Sequence, residues 1–233
     1  MRIRGLLTAL LCAAGLTTVA PAAVAAPIID GEYAQSGPWA AMIEQNGEQW
    51  CSGSIISARW VLTAQHCIDE PGAEYSVRVG DVDHQAGTYA VVADIYTPSS
   101  GADIALLKLD RSVTTTYASL GTSVAVGDTE YVYGWGYNED GDLQRYLKVA
   151  RMTVTSVGNG LIKARRGNGL TNGGDSGGPV FVGGKQVGVH IAGNKVDSST
   201  HTFTAPNPPL FLNPGGVLVL PWRGGGPPPL PDR

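Results

Sequence analysis

Cysteine is scarce, three in 233 residues, and histidine is nearly as rare with four. No His-x-x-x-His and no Cys/His cluster occurs, so neither a structural metal framework nor a metal-dependent hydrolase has its ligands. No cofactor or metal is expected. Charged residues make up only 15% of the chain, and the formal net charge is −4. Without a basic cluster, nucleic acid is not an expected partner. Beyond the N-terminus no apolar run reaches the roughly 18 residues of a membrane helix. No stretch between residues 28 and 205 has the length and period of a good helix. Asp81 and Asp83 near Glu74 hint at a calcium loop, but a solvated turn is the simpler reading.

What is plentiful is glycine (32), proline (15) and, at 43%, hydrophobic residues. That mixture suits short strands joined by tight turns. Alternating apolar and polar runs predict strands over 40–44, 53–57, 60–63, 76–79, 89–95 and 104–109. A second set covers 130–133, 147–156, 179–182, 186–192 and 200–204. Gly183-Gly184 between two of these runs reads as a hairpin turn. Two sets of strands suggest an all-β fold of two packed β-barrels, divided near residues 114–126.

Residues 1–25 read as a secretion signal, with Arg2 and Arg4, an apolar stretch from Leu6 to Val19, and small residues Ala22, Ala23, Ala25 and Ala26. Residues 26–27 form a short pro-segment and residues 28–205 the folded domain. After signal removal neither a membrane nor an intracellular location is expected. Cys12 leaves with the signal, so Cys51 and Cys67 can bond only to each other within the chain, which an oxidising compartment favours. Residues 206–233 are a Pro/Gly-rich, atypical tail with little alternation, read either as a flexible tail or as the product of a reading-frame change.

The chemistry is carried by three short strings. In Gly174-Asp-Ser-Gly-Gly-Pro179, glycines let the backbone turn sharply around Ser176, so that the amides of Gly174 and Ser176 converge where an oxyanion would form. A serine nucleophile needs a base near neutral pKa. His66 meets that need in Thr63-Ala-Gln-His-Cys67, after an apolar strand and beside a disulfide cysteine. His84 lies in a polar turn and reads as solvated. A histidine base in turn needs a carboxylate to fix its tautomer. Asp103 opens Asp103-Ile-Ala-Leu-Leu-Lys-Leu109 and supplies it.

Together with Cys51 and Gly134-Trp-Gly136, these strings resemble the trypsin/chymotrypsin-type serine protease family, in the compact style of secreted bacterial members. The resemblance runs from about Ile28 to Ala205. It implies two packed six-stranded antiparallel β-barrels with the active site in the cleft between them. It further implies a monomeric secreted endopeptidase acting on polypeptide through an acyl-enzyme. Ser176 would be nucleophile, His66 base then acid, Asp103 its orienter, and the Gly174 and Ser176 amides the oxyanion hole. Ile28-Ile-Asp-Gly31 resembles the family's mature N-terminus, whose ammonium would pair with Asp175.

The same resemblance places Leu170, Thr171, His190 and Gly193 in the substrate pocket. Leu170 stands where trypsins carry an Asp, so a basic P1 side chain would be buried unpaired. Thr171 and His190 resemble the pair that binds a P1 carboxylate in glutamate-specific relatives. A pocket for medium apolar side chains, with His190 held by backbone, is the competing expectation. Asn172 replaces a pocket cysteine, Ala192 an aromatic wall, and the tail the usual C-terminal helix. That last departure leaves open a catalytically silent or misfolded protease-like binding protein.

Overall fold

A computed structural model describes residues 28–98, 100–204, 211–212 and 218–219. The expected signal, pro-segment and most of the C-terminal tail lie outside the described residues. Six strands close the first barrel in the order β2-β3-β4-β7-β6-β5. They are β2 (Ala40–Gln45), β3 (Glu48–Ser57), β4 (Trp60–Thr63), β5 (Tyr75–Val79), β6 (Thr88–Tyr96) and β7 (Ala105–Leu109). The second barrel holds β8 (Thr129–Gly134), β9 (Lys148–Gly158), β10 (Leu161–Arg166), β11 (Pro179–Val182), β12 (Lys185–Gly193) and β13 (Ser198–Phe203). Pairing of β8 with β9 closes it, and β1 (Glu32–Tyr33) adds onto β9. All these strand pairs are antiparallel. In the tail only the short pair β14 (Phe211–Leu212) and β15 (Leu218–Val219) is described.

The turns follow their residues. Gly183 and Gly184 both adopt positive φ, 55° and 76°, and join β11 to β12 as the Gly-Gly pair predicts. Asn46-Gly47 does the same between β2 and β3, and Asn159-Gly160 between β9 and β10. The strand expected over 147–156 is β9, and the Asn159-Gly160 turn leads from it into β10, a strand the sequence reading did not include. Among the described residues the one helical element is a 3-10 turn, Gln65–Cys67.

Each barrel encloses its own apolar core, with Ile43, Ile55, Leu62 and Leu107 in the first. Ile28, Val132, Met152, Ile162 and Phe203 fill the second. Along β9 the inward residues are Lys148, Ala150, Met152 and Val154, so one lysine breaks an otherwise apolar face. The barrels are clamped by mixed contacts. Trp39 packs on Phe181 (4.5 Å) and Tyr133 (4.8 Å), and buried Ser54 Oγ donates to Gln186 Oε1 at 2.8 Å. Val189 of β12 reaches across into the first core.

Candidate active site

His66 leaves the first barrel just past the end of β4. The disulfide Cys51–Cys67 pins the 3-10 turn to β3, as expected. His66 Nδ1 lies 2.8 Å from Asp103 Oδ2, and the His66 amide donates to Asp103 Oδ1 at 3.0 Å. The hydrogen bond to Asp103 raises the His66 pKa above 6.5, against burial and aided by the Asp103 and Asp69 charges. For Asp103, burial alone would raise its pKa. The hydrogen bonds and charge of His66 outweigh it, and the carboxyl ends below 3.8. Thr202 Oγ1, from the second barrel, donates to the Asp103 carbonyl at 2.8 Å and ties that loop across the cleft.

Ser176 approaches from the second barrel, on a loop pressed against the first. The Ser52 amide donates to the Ser176 carbonyl at 2.8 Å, and Thr63 Oγ1 donates to Ser52 O at 2.9 Å. Gly177, at φ 82°, permits this approach. A Cβ there would lie 2.0 Å from Thr63 Oγ1 and 2.1 Å from Ser52 O. The serine loop is therefore seated on the strand end that carries His66. Among the described residues Ser176 Oγ has no hydrogen-bond partner, nor do the amides of Gly174 and Ser176. Two donors and a hydroxyl are thus left unspent on one tight loop. Ser52 Oγ braces it by donating to Gly174 O at 2.9 Å.

Asp175 is wholly buried and accepts from the Gly136 and Asn172 amides, each at 2.8 Å. The Gly134-Trp-Gly136 string is explained by this carboxylate. A Cβ on Gly134 would lie 2.3 Å from Asp175 Oδ1, and one on Gly136 would lie 2.6 Å from its Cγ. Burial pushes the Asp175 pKa up to about 7, with the amides and Lys148 acting against it. Lys148 is itself buried; its Nζ reaches Gly31 O at 3.4 Å and sits 4.5 Å from the Tyr33 ring centre. Desolvation brings its pKa down to about 8. Ile28 is fully buried in the second core beside Leu170, and the Leu170 amide donates to Ile29 O at 2.9 Å.

Of the expected pocket residues, Leu170 and Thr171 lie on the loop between β10 and β11 and His190 and Gly193 on β12, and they do not all meet. His190 is bound to the serine loop through its backbone, donating to Gly178 O and accepting from the Gly177 amide, both at 2.8 Å. Thr171 Oγ1 is 2.8 Å from Ser199 Oγ, and a Cβ on Gly193 would lie 2.7 Å from that Thr171 oxygen. No hydrogen bond joins Thr171 to His190 among the described residues. Nor is His190 satisfied by backbone alone, since its Nδ1 faces His201 Nδ1 at 3.2 Å. Leu170 is buried in the core.

Several groups around the site escaped sequence reasoning: Ser52, Thr202, Lys148, Ser199, His201 and Glu130. Their residue types are common in strands, and no motif marks them in the sequence. His84 is half-buried rather than solvated, with burial lowering its pKa and no partner for its Nδ1 among the described residues. Asp83 is gripped by Arg145 through three short contacts, so the acidic turn is an ion-pair site. Cys51, His66 and Cys67 cluster within 4.8 Å, but both sulfurs are committed to the disulfide. A surface groove of about 840 Å³ on the first barrel, lined by Glu74, Tyr75 and Tyr89 among others, contains none of His66, Asp103, Ser176 or the expected pocket residues.

Comparison with known proteins agrees with this layout. The family profile described as Trypsin matches residues 28–208. A serine protease of Anopheles gambiae, SP24D, is 31% identical over 192 residues, covering 70% of each chain. Human kallikrein-4 is 29% identical over 147 residues, 55% of this chain and 57% of that protein. Among solved structures, neuropsin from mouse brain superposes with a TM-score of 0.66 at 26% identity. That match covers 75% of this chain and 94% of neuropsin.

Proposed function

The chain belongs to the trypsin family of serine proteases, and from that premise we propose a secreted, monomeric endopeptidase working through His66, Asp103 and Ser176. One observation carries this reading. The imidazole held by Asp103 at 2.8 Å leaves the same strand end on which the Ser176 loop is seated. His66 Nε2 takes the proton of Ser176 Oγ as that oxygen attacks a substrate carbonyl, and Asp103 accepts from Nδ1–H and stabilises the imidazolium. The unspent amides of Gly174 and Ser176 receive the oxyanion. His66 then protonates the leaving amine, and water, deprotonated by the same nitrogen, releases the acyl group from Ser176.

Activation uses the buried carboxylate of Asp175. The Asp175 carboxyl is held at about 7 by burial, with Lys148 acting on it only at a distance and no cation in ion-pair contact among the described residues. Ile28 is seated in the adjoining core with φ 45°, a strained conformation for a β-branched residue. Cleavage before Ile28 would relieve that constraint and free an ammonium for Asp175. Pro27 does not suit a tryptic cut, so signal removal after Ala25 followed by aminopeptidase trimming is the proposed route.

At P1 the reading is an acidic side chain. Leu170 offers no charge to a basic residue, while Thr171 and His190 flank the serine loop with groups able to bind a carboxylate. The test is hydrolysis of a P1-varied peptide panel by chain beginning at Ile28, with Ser176→Ala as control. Cleavage after Glu that disappears in the control is expected. Cleavage only after apolar residues would keep the protease and remove the acidic pocket. A folded, trimmed chain that cleaves nothing would overturn the reading in favour of a silent relative.

A further inference from the structure

Three cations of the first barrel sit against neighbouring acids: Arg78 on Glu44, Lys108 on Asp94 and Arg111 on Asp110. The outer face of the second barrel differs. Arg151 on β9 and Lys163 and Arg165 on β10 are exposed, and none of them has an ion-pair partner among the described residues. Apart in the sequence, they form no basic run; the strand register collects them. Met152, Val154, Ile162 and Ala164 turn inward, which sends these three outward. Arg165 stands opposite Thr153, and so lies diagonally from Arg151 at about 7–8 Å. Lys163 follows two residues along the same strand, about 6.6 Å away.

No acid interrupts the row. The one carboxylate on β8, β9, β10 and β13 is Glu130, and it is buried. The flanking acids are held by other groups, Asp30 by Arg166, Glu32 by Asn168 and Asp197 by Asn194. Like charges placed side by side repel and add nothing to stability. In a chain of net charge −4, such a row reads as a site for an anion outside the chain.

The surroundings select among polyanions. Along this stretch β10 is paired on both sides, with β9 and with β13, so it offers no edge to which a peptide could add as a strand. The positions opposite the two β10 cations are Thr153, Ser156, Ser198 and Thr200, so no apolar side chain stands there to enter a membrane. Tyr131 on β8 stands directly opposite Arg151 and is 41% exposed. Its ring is a flat apolar surface with a polar tip. Cations in a row, hydroxyls between them and one open aromatic ring suit a polymer of sugar rings that carries negative groups. We propose that this face of the second barrel docks an anionic polysaccharide. Arg151, Lys163 and Arg165 meet its charges, the two arginines through paired N–H donors, and Tyr131 stacks on a sugar ring. The docking is independent of the cleavage chemistry.

The test is binding of the full chain carrying Ser176→Ala to immobilised dextran sulfate in about 0.1 M salt, where the Debye length is about 10 Å. Arg165→Glu and Lys163→Glu should each weaken binding about tenfold or more. Arg111→Glu, the same change of charge on the first barrel, should alter it less than about twofold. Equal losses in all three variants would trace the binding to net charge and overturn the site. Tyr131→Ala should weaken binding by about threefold or more while leaving its salt dependence unchanged. An unaltered affinity in that variant would remove the sugar ring from the account and overturn the polysaccharide as occupant. Poly-glutamate or single-stranded DNA displacing the chain as well as free dextran sulfate does would overturn it too. A parent chain that does not bind dextran sulfate at all would refute the proposal, whatever peptides the enzyme cuts.

Discussion

At the scale of single residues, the pair His66–Asp103 decides the pH behaviour. Asp103 raises the His66 pKa above 6.5, and a general base must be unprotonated. The kcat/KM profile should therefore rise with pH through a midpoint above 6.5, a property of free enzyme. In Asp103→Asn the amide cannot hold the required tautomer, and kcat should drop by about 10⁴-fold, the loss such a triad shows for this change. A midpoint at or below 6.5, or a loss under tenfold, would contradict the assignment. His66, Asp103 and Ser176 were legible because each stands in a string of unusual residues. Glu130 and His201 were not: an acid and a histidine in short alternating strands look like surface residues until closure of the barrel turns them inward.

At the scale of elements, the strands were readable from alternation, and their ends from turn residues. The exception was β10, where the Asn159-Gly160 turn is plain in the sequence but the flanking runs are continuous in character. Lys148 was illegible for the opposite reason. A lysine in a half-buried strand ordinarily points outward, and only the pairing of β9 with β1 and β8 turns it toward Gly31 and Asp175. This corner links the N-terminal segment to the oxyanion loop. Asp175 has a folded pKa of about 7 against 3.8 in the unfolded chain. The native state therefore binds more protons than the unfolded state across that window, and stability falls as pH rises from about 4 to about 7. Carrying the carboxyl between those values is worth at most about 4 kcal/mol. Lys148, held at about 8, titrates above the window. Denaturant melts of chain retaining residues before Ile28 should show this fall, and chain beginning at Ile28 should not. Identical profiles would separate Ile28 from Asp175.

At the scale of the whole molecule, the two closed barrels supply the site by meeting. The first contributes His66, Asp103 and the disulfide; the second contributes Ser176, the amides proposed as oxyanion donors and the strand β12 beside them. Ser54–Gln186, Thr202–Asp103 and Val189 lock the cleft, so neither barrel alone assembles it. The sequence order His, Asp, Ser is thus a record of two barrels laid down in turn. The division near residues 114–126 was readable from strand spacing. The cross-barrel bonds were not, since they join residues with no shared motif. The most direct test of the account is reaction of chain beginning at Ile28 with a phosphonofluoridate, read by intact mass and peptide mapping, beside His66→Ala. The account predicts one adduct, on Ser176, formed rapidly and nearly abolished in the variant. A folded, trimmed chain that takes no adduct at Ser176, or takes it as fast without His66, would contradict it.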